Sequence, residues 1–158
     1  RLLQGPNAIA GEWGHNPLPG YAPETDGPAQ SCYCGKHNCI ETFISGTGFA
    51  RRYPSELSAQ AIIEAAAQGD MTARAHWRHF IDAFARILAS VINILDPQVI
   101  VLGGGLSNVS QLYDELPAAI RPYIFSERCR TRLGPGGYGD ASGWRGAAWL
   151  PGLHAAQT

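Results

Sequence analysis

Three cysteines fall within eight residues, as Cys32-x-Cys34-x4-Cys39, and His15 lies upstream of them. Three thiolates and one imidazole are the ligand inventory of a closed tetrahedral zinc site. Cys32 and Cys34 are too near in the chain to form a relaxed disulfide with each other. Gly35 offers the backbone freedom to turn the chain between ligands. A metal at this set would pin both ends of the 15–39 segment. The competing reading is a group of free or redox-active thiols beside an unrelated histidine. The remaining cysteine, Cys129, stands far off and reads as a buried free thiol.

Glu12, His15 and Glu41 form a second group. The first two lie in Gly11-Glu12-Trp13-Gly14-His15, where flanking glycines let a ligand approach closely. Glu41 follows the last cysteine by two residues, so a metal knot would also fix its position. Carboxylates accept and an imidazole N–H donates, which suits a hydroxyl-rich ligand. If one ring nitrogen of His15 holds a metal, the other must donate elsewhere. On spacing alone these residues read more readily as solvated carboxylates and a structural histidine.

A third group is Val101-Leu102-Gly103-Gly104-Gly105-Leu106-Ser107-Asn108. A buried strand running into glycines and then a helix is how α/β folds admit a nucleotide. The triplet lacks the lysine of a P-loop and does not match G-x-G-x-x-G, so by itself it also reads as a tight turn. Asp140 opens the last helical stretch and reads as an N-cap. His76 and His79, three apart on a long helix, read as solvated rather than metal-binding.

The elements that must position these residues can be read from periodicity. Residues 1–10 suggest the end of a strand or hairpin and a Gly-Pro turn. Residues 11–49 show little periodicity and hold most of the prolines and the cysteine cluster. A loop of this length needs something to hold it. Its most polar part, 21–30, reads as an exposed excursion. A short helix is expected over 40–49, ending at Gly46 and Gly48. Helices follow over 58–68 and from Asp70 to Leu95. In the second, Ala73, Trp77, Phe80, Ile81, Phe84, Leu88, Val91, Ile92 and Leu95 recur on one face as core residues. Residues 98–102 (QVIVL) predict a buried strand of a parallel sheet. Helices over 108–116 and 117–125, a strand over 129–133 and a helix over 140–150 complete an α/β order.

Composition narrows the function classes. The chain has 158 residues, 12 Lys and Arg against 13 Asp and Glu, and a net charge of −1. That balance argues against nucleic acid or an acidic membrane as partner. No apolar run approaches the ~20 residues of a spanning helix. Clustered cysteines without a signal pattern favour a reducing, cytoplasmic setting. One domain is the default at this length.

Two stretches carry a resemblance. Glu12-Trp13-Gly14-His15-Asn16-Pro17-Leu18-Pro19, and then Cys32-Tyr33-Cys34-Gly35-Lys36-x-x-Cys39-Ile40-Glu41-Thr42-Phe43-Ile44-Ser45-Gly46, strongly resemble the ROK family (repressors, open reading frames, kinases). Within it the match is close to the bacterial fructokinase and mannokinase branch. It continues through residues 91–97, 99–108 and 139–150, nearly the whole chain.

The resemblance implies the C-terminal lobe of an actin-like, ribonuclease H-like ATPase fold, as in sugar kinases. Residues 11–49 would be the sugar- and zinc-binding loop region. Residues 56–150 would supply helices, strand and nucleotide-side loop. It implies His15, Cys32, Cys34 and Cys39 as zinc ligands, and Glu12, His15 and Glu41 as sugar contacts. Gly103, Gly104 and Gly105 would lie against the adenosine of ATP. The implied activity is transfer of the γ-phosphate of Mg-ATP to the 6-hydroxyl of fructose or a related hexose, by a cytoplasmic homodimer. The alternative is the effector-binding part of a ROK-type sugar-responsive repressor. The family's glycine-rich phosphate loop and its catalytic Asp have no counterpart here. The base is therefore expected upstream of Arg1, no catalytic residue is assigned in this chain, and the chain alone is expected to be inactive. Asn38 stands where the family has Gly, and Asn tolerates the left-handed conformation best after Gly.

Overall fold

The computed structural model describes residues 5–137, 143 and 145–149. From Gly5 to Ile40 the backbone forms turns, as its lack of periodicity implies. The expected Gly-Pro turn is present, with the Ala8 N–H donating to the Gly5 carbonyl at 3.1 Å. A 3-10 turn, Glu12–His15, starts after Gly11, whose φ of 98° suits glycine.

The polar stretch 21–30 is anchored, contrary to the expected exposed excursion. It contains a short helix, α1 (Pro23–Asp26), and Asp26 is only 7% exposed. The Asp26 carboxylate accepts the Ala22 N–H at 2.9 Å and is paired with the Arg86 guanidinium. Arg86 also donates to the Pro19 carbonyl at 2.8 Å and to Asp82 at 3.1 Å. Burying an ion pair costs desolvation, offset only when the remaining donors and acceptors are met, as they are here.

The single helix expected over 40–49 is two. α2 (Glu41–Ile44) stops at Ser45, which is extended (φ −76°, ψ 153°), and α3 (Gly46–Arg51) begins there. The Ser45 hydroxyl accepts the Gly48 N–H at 3.0 Å, so this serine caps α3. Gly46 and Gly48 therefore open a helix instead of closing one. Gly48 also permits a close backbone approach: a Cβ there would stand 2.4 Å from the Thr42 carbonyl oxygen.

α4 (Ala59–Gln68) is capped by Ser58 and closed by Gly69 at φ 103°. α5 (Met71–Leu95) is capped by Asp70, whose carboxylate accepts the Ala73 N–H at 2.8 Å. α5 is buried on two sides. Trp77, Phe80, Phe84 and Leu88 pack with Phe49, Ile62, Leu112 and Leu116. Ala83 and Ile87 pack with Leu18, Ile40 and Phe43 in a second cluster. The second cluster joins the loop region to the helix. Of the residues expected in the core face, Leu95 is 64% exposed and Val91 half-buried, because the last turn of α5 runs past its helical neighbours.

β1 (Val99–Leu102) pairs in parallel with β2 (Arg132–Pro135), in the register Val99 with Arg132 through Leu102 with Pro135. Parallel pairing agrees with the expectation; β2 starts at 132, not 129. Burial on both faces does not. Ile100 and Leu102 face the core, while Val99 and Val101 are exposed. Successive strand residues point to opposite faces, and among the described residues only one face is covered. The two helices expected over 108–125 are one, α6 (Gln111–Ile120), with Pro117 inside it and a 3-10 turn (Arg121–Tyr123) after it. Leu112, Leu116 and Ile120, four apart, are buried in the core shared with α5, and that packing carries the helix through the proline.

Cys129 is a free thiol as expected, though only partly buried. Asp140 lies outside the described residues; residues 143 and 145–149 are helical. No helix among the described residues is long and apolar enough to cross a membrane.

Gly48→Ala is expected to destabilise the protein by about 1–3 kcal/mol, because the added methyl must displace backbone. Urea unfolding midpoints measure it. A midpoint equal to wild type contradicts the close approach at Thr42.

Candidate metal centre and adjoining cleft

The ligating residues are brought together by backbone pairing between two turns of the loop region. Leu18 N–H donates to the Asn38 carbonyl at 2.8 Å, and Ile40 N–H to the Asn16 carbonyl at 2.9 Å. These bonds set His15 beside Cys39. Cys32 and Cys34 stand on a tight turn, with Cys32 N–H bonded to the Lys36 carbonyl at 2.9 Å and Gly35 at φ 85°. Asn38 has φ 57°, the left-handed conformation expected of it. Its side chain does more than tolerate the turn. The Asn38 amide oxygen accepts the Gln30 N–H at 2.8 Å, while the Asn38 N–H donates to the Gln30 carbonyl at 2.8 Å.

The donor atoms of His15, Cys32, Cys34 and Cys39 all lie within 4.8 Å of one another. His15 Nδ1 is 3.5 Å from the Cys32 sulfur, and the Cys34 and Cys39 sulfurs are 3.6 Å apart. All three thiols are free. A tetrahedron with zinc–sulfur bonds of about 2.3 Å and a zinc–nitrogen bond of about 2.05 Å has S···S edges near ~3.8 Å and N···S edges near ~3.5 Å. The His15–Cys32 and Cys34–Cys39 edges are compatible with zinc, and the four residues that the sequence groups are brought together.

Electrostatics favour a cation at the same point. The Lys36 backbone N–H holds the Cys34 thiol low, at about 7. Burial pushes the Cys39 thiol up to about 12, since a thiolate there is removed from water. A dication replaces the lost hydration of the Cys39 thiolate, which neither His15 nor another thiol can do.

The other side of the His15 ring faces a cleft of about 380 Å³ lined by Glu12, Trp13, Tyr33, Glu41 and Ile44. His15 Nε2 lies 3.8 Å from a carboxylate oxygen of Glu12 and 3.8 Å from one of Glu41. It is 2.8 Å from the Tyr33 hydroxyl. The imidazole is thus divided, with Nδ1 toward the thiols and Nε2 toward the cleft. Glu41 opens α2 directly after Cys39 and Ile40, and Ile40 is buried in the second cluster. The core therefore holds Glu41 in place, and a metal at the adjoining cluster would add to it. Tyr33 was not singled out by its residue type; its position between Cys32 and Cys34 was the available signal.

Gly103, Gly104 and Gly105 stand apart from this cleft, at the carboxyl end of β1. Gly104 has φ 80°, and a Cβ on any of the three would meet nothing within 4 Å, so the loop lies open. The Ser107 hydroxyl donates to the Gly104 carbonyl at 2.7 Å, and Tyr113 to the Ser107 carbonyl at 2.6 Å, so the loop is also stiffened. Leu106 lies next to Gly46, linking this loop to the α2–α3 turn. His76, expected to be solvated, is half-buried: its Nε2 is bonded to the Phe49 carbonyl at 2.8 Å, and its ring packs on Phe49 and Tyr53.

The family model described as ROK family matches residues 1–152. This chain belongs to the ROK family. Among curated relatives, the N-acetyl-D-glucosamine kinase of Yersinia enterocolitica (serotype O:8 / biotype 1B) is 40% identical over 156 residues, covering 94% of this chain and 52% of the relative. That of Shigella boydii serotype 4 is 41% identical over 159 residues, covering 94% and 51%. The chain thus spans about half the length of the curated relatives it matches. Among solved structures, a ROK glucokinase from Streptomyces griseus in complex with glucose and AMPPNP matches with TM-score 0.78 at 24% identity, over 95% of this chain and 54% of that one. A ROK hexokinase from Thermus thermophilus matches with TM-score 0.75 at 26% identity, over 95% and 50%. A ROK transcriptional regulator homologous to E. coli MLC matches with TM-score 0.65 at 24% identity, over 85% and 36%. The α/β fold is that of part of a ROK sugar kinase. The expected fructokinase branch is corrected: the similar curated relatives bear the name N-acetyl-D-glucosamine kinase.

The purified protein is expected to hold one zinc per chain by elemental analysis, and Cys39→Ser to lose it. Acid acts in the same direction: protons compete for the thiolates, so zinc is released as pH falls. Full zinc content in Cys39→Ser contradicts the ligand set.

Proposed function

We propose that this chain is the zinc-buttressed, sugar-facing lobe of an ATP-dependent hexose kinase, and that N-acetyl-D-glucosamine is its first candidate substrate. The observation that carries the reading is the divided imidazole of His15, with thiols at Nδ1 and two carboxylates 3.8 Å from Nε2. The substrate is suggested by relatives near 40% identity over most of the chain.

In this reading Glu12 and Glu41 accept hydrogen bonds from two sugar hydroxyls, and the His15 Nε2–H donates to one. Zinc, when bound, fixes the tautomer of His15 and makes its Nε2–H a stronger donor. His15, Cys32, Cys34 and Cys39 would hold it. Charge-assisted bonds to carboxylates orient the sugar more firmly than neutral ones. The open Gly103–Gly105 loop would receive the adenosine of Mg-ATP with no side chain in the way. Phosphoryl transfer is largely a matter of positioning and charge neutralisation, with a base for the hydroxyl. The positioning of the sugar belongs to this chain, and the base to the remainder of the protein. The assignment to the C-terminal lobe rests on the resemblance of its motifs. Thiolate ligands fit a reducing, cytoplasmic compartment, and the homodimer is carried over from the resemblance alone.

The test is a coupled kinase assay on the intact protein with Mg-ATP and N-acetyl-D-glucosamine, glucose or fructose. Turnover is expected with N-acetyl-D-glucosamine at the highest kcat/KM. Glu41→Gln should raise KM about 10- to 100-fold, the effect of losing a hydrogen bond to a charged group. Absence of turnover with every hexose, together with a helix-turn-helix in the rest of the protein, would identify a sugar-responsive regulator instead.

A further inference from the structure

Tyr33 has a place in the cleft that the sugar-binding reading leaves unexplained. It is 83% exposed, yet its hydroxyl makes a hydrogen bond to His15 Nε2 at 2.8 Å. Its ring stands edge-on to the imidazole, perpendicular to it, with centroids 5.0 Å apart. An exposed tyrosine is free to choose water as its partner, so a fixed position over one nitrogen needs a cause. The cause is local: Tyr33 sits between Cys32 and Cys34, and the turn that aims their sulfurs at His15 and Cys39 aims the intervening side chain the other way, over the cleft.

The position has a chemical consequence. His15 Nε2 is the one imidazole atom turned toward the cleft, and an Nε2–H makes one hydrogen bond at a time with good geometry. Glu12 and Glu41, at 3.8 Å, are too far to take it. The Tyr33 hydroxyl therefore occupies the bond that a ligand hydroxyl would use. We propose that Tyr33 is a specificity-determining residue of the sugar cleft, a resident hydroxyl on His15 that a substrate hydroxyl must displace. This rests on the hexose kinase reading above.

Displacement is feasible because Tyr33 is 83% exposed and, among the described residues, its hydroxyl bonds His15 alone. A χ1 rotation takes the ring into water without disturbing either neighbouring thiol. The cost falls on binding and not on the chemical step, since Tyr33 has left His15 before phosphoryl transfer begins. A ligand that returns one hydrogen bond to His15 recovers the exchange; a ligand that presents no hydroxyl there does not.

Steady-state kinetics on the intact kinase test this, with Tyr33→Phe and Tyr33→Leu beside wild type and zinc measured in all three. Tyr33→Phe is expected to lower hexose KM about three- to tenfold, the range of one net hydrogen bond. kcat is expected to change by less than about twofold, and zinc to stay at one per chain. Tyr33→Leu should follow the same KM-against-kcat split, because the effect belongs to the hydroxyl. KM unchanged or raised in Tyr33→Phe, with zinc retained, overturns the proposal and leaves the kinase reading standing. Zinc loss in both variants overturns it as well, since Tyr33 would then be a structural part of the turn. A wild-type protein that phosphorylates no hexose overturns the kinase reading, and this proposal with it.

Discussion

The imidazole of His15 is the point on which the site turns. One nitrogen completes a cluster of three thiols, and the other faces two carboxylates and a phenol. A histidine free to rotate would serve neither side. Held at Nδ1, it presents a donor of fixed tautomer at Nε2, which is what recognition of a hydroxyl demands. The loop region that carries it has too little apolar surface to order itself by burial alone. The metal-ligand set and the second small core supply the order.

That second core shows how a loop becomes part of a site. Leu18 and Ile40 flank the paired segments that bring His15 beside Cys39, and Phe43 lies on α2 behind Glu41. All three pack on Ala83 and Ile87 of α5. The same helix fixes the α1 turn through Arg86 and Asp26. α5 is therefore the common support, with one side turned to the main core and the other to the loop. The Gly103–Gly105 loop joins this frame through Leu106 at the α2–α3 turn. The glycine loop and the His15 cleft are thereby connected through packed atoms.

Much of this was legible in the residues. The zinc set, the two carboxylates, the long helix with its Asp70 cap and the parallel strand all carry local signals: ligand type, cap chemistry, period. What was not legible depended on distant contacts. The break at Ser45 is an extended residue whose hydroxyl caps α3, with Gly48 close against Thr42, and no helical period encodes either. Asp26 reads as a surface carboxylate until Arg86, 60 residues on, is placed beside it. Pro117 reads as a boundary because its missing N–H weakens one turn, whereas Leu112, Leu116 and Ile120 bury enough apolar surface to carry the helix past it. Val99 and Val101 read as core because a β-branched run fits a sheet covered on both faces, and here one face is covered. Tyr33 carries no signal of its own, because its contact with His15 follows from the turn around it.

The most direct test of the account is the coordination of the metal itself. X-ray absorption at the zinc edge of the purified protein reports ligand type and distance. Three sulfur neighbours at about 2.3 Å and one nitrogen at about 2.05 Å are the result expected of Cys32, Cys34, Cys39 and His15. A shell without nitrogen, or a protein that binds no zinc with its thiols reduced, would contradict the division of His15 between metal and cleft.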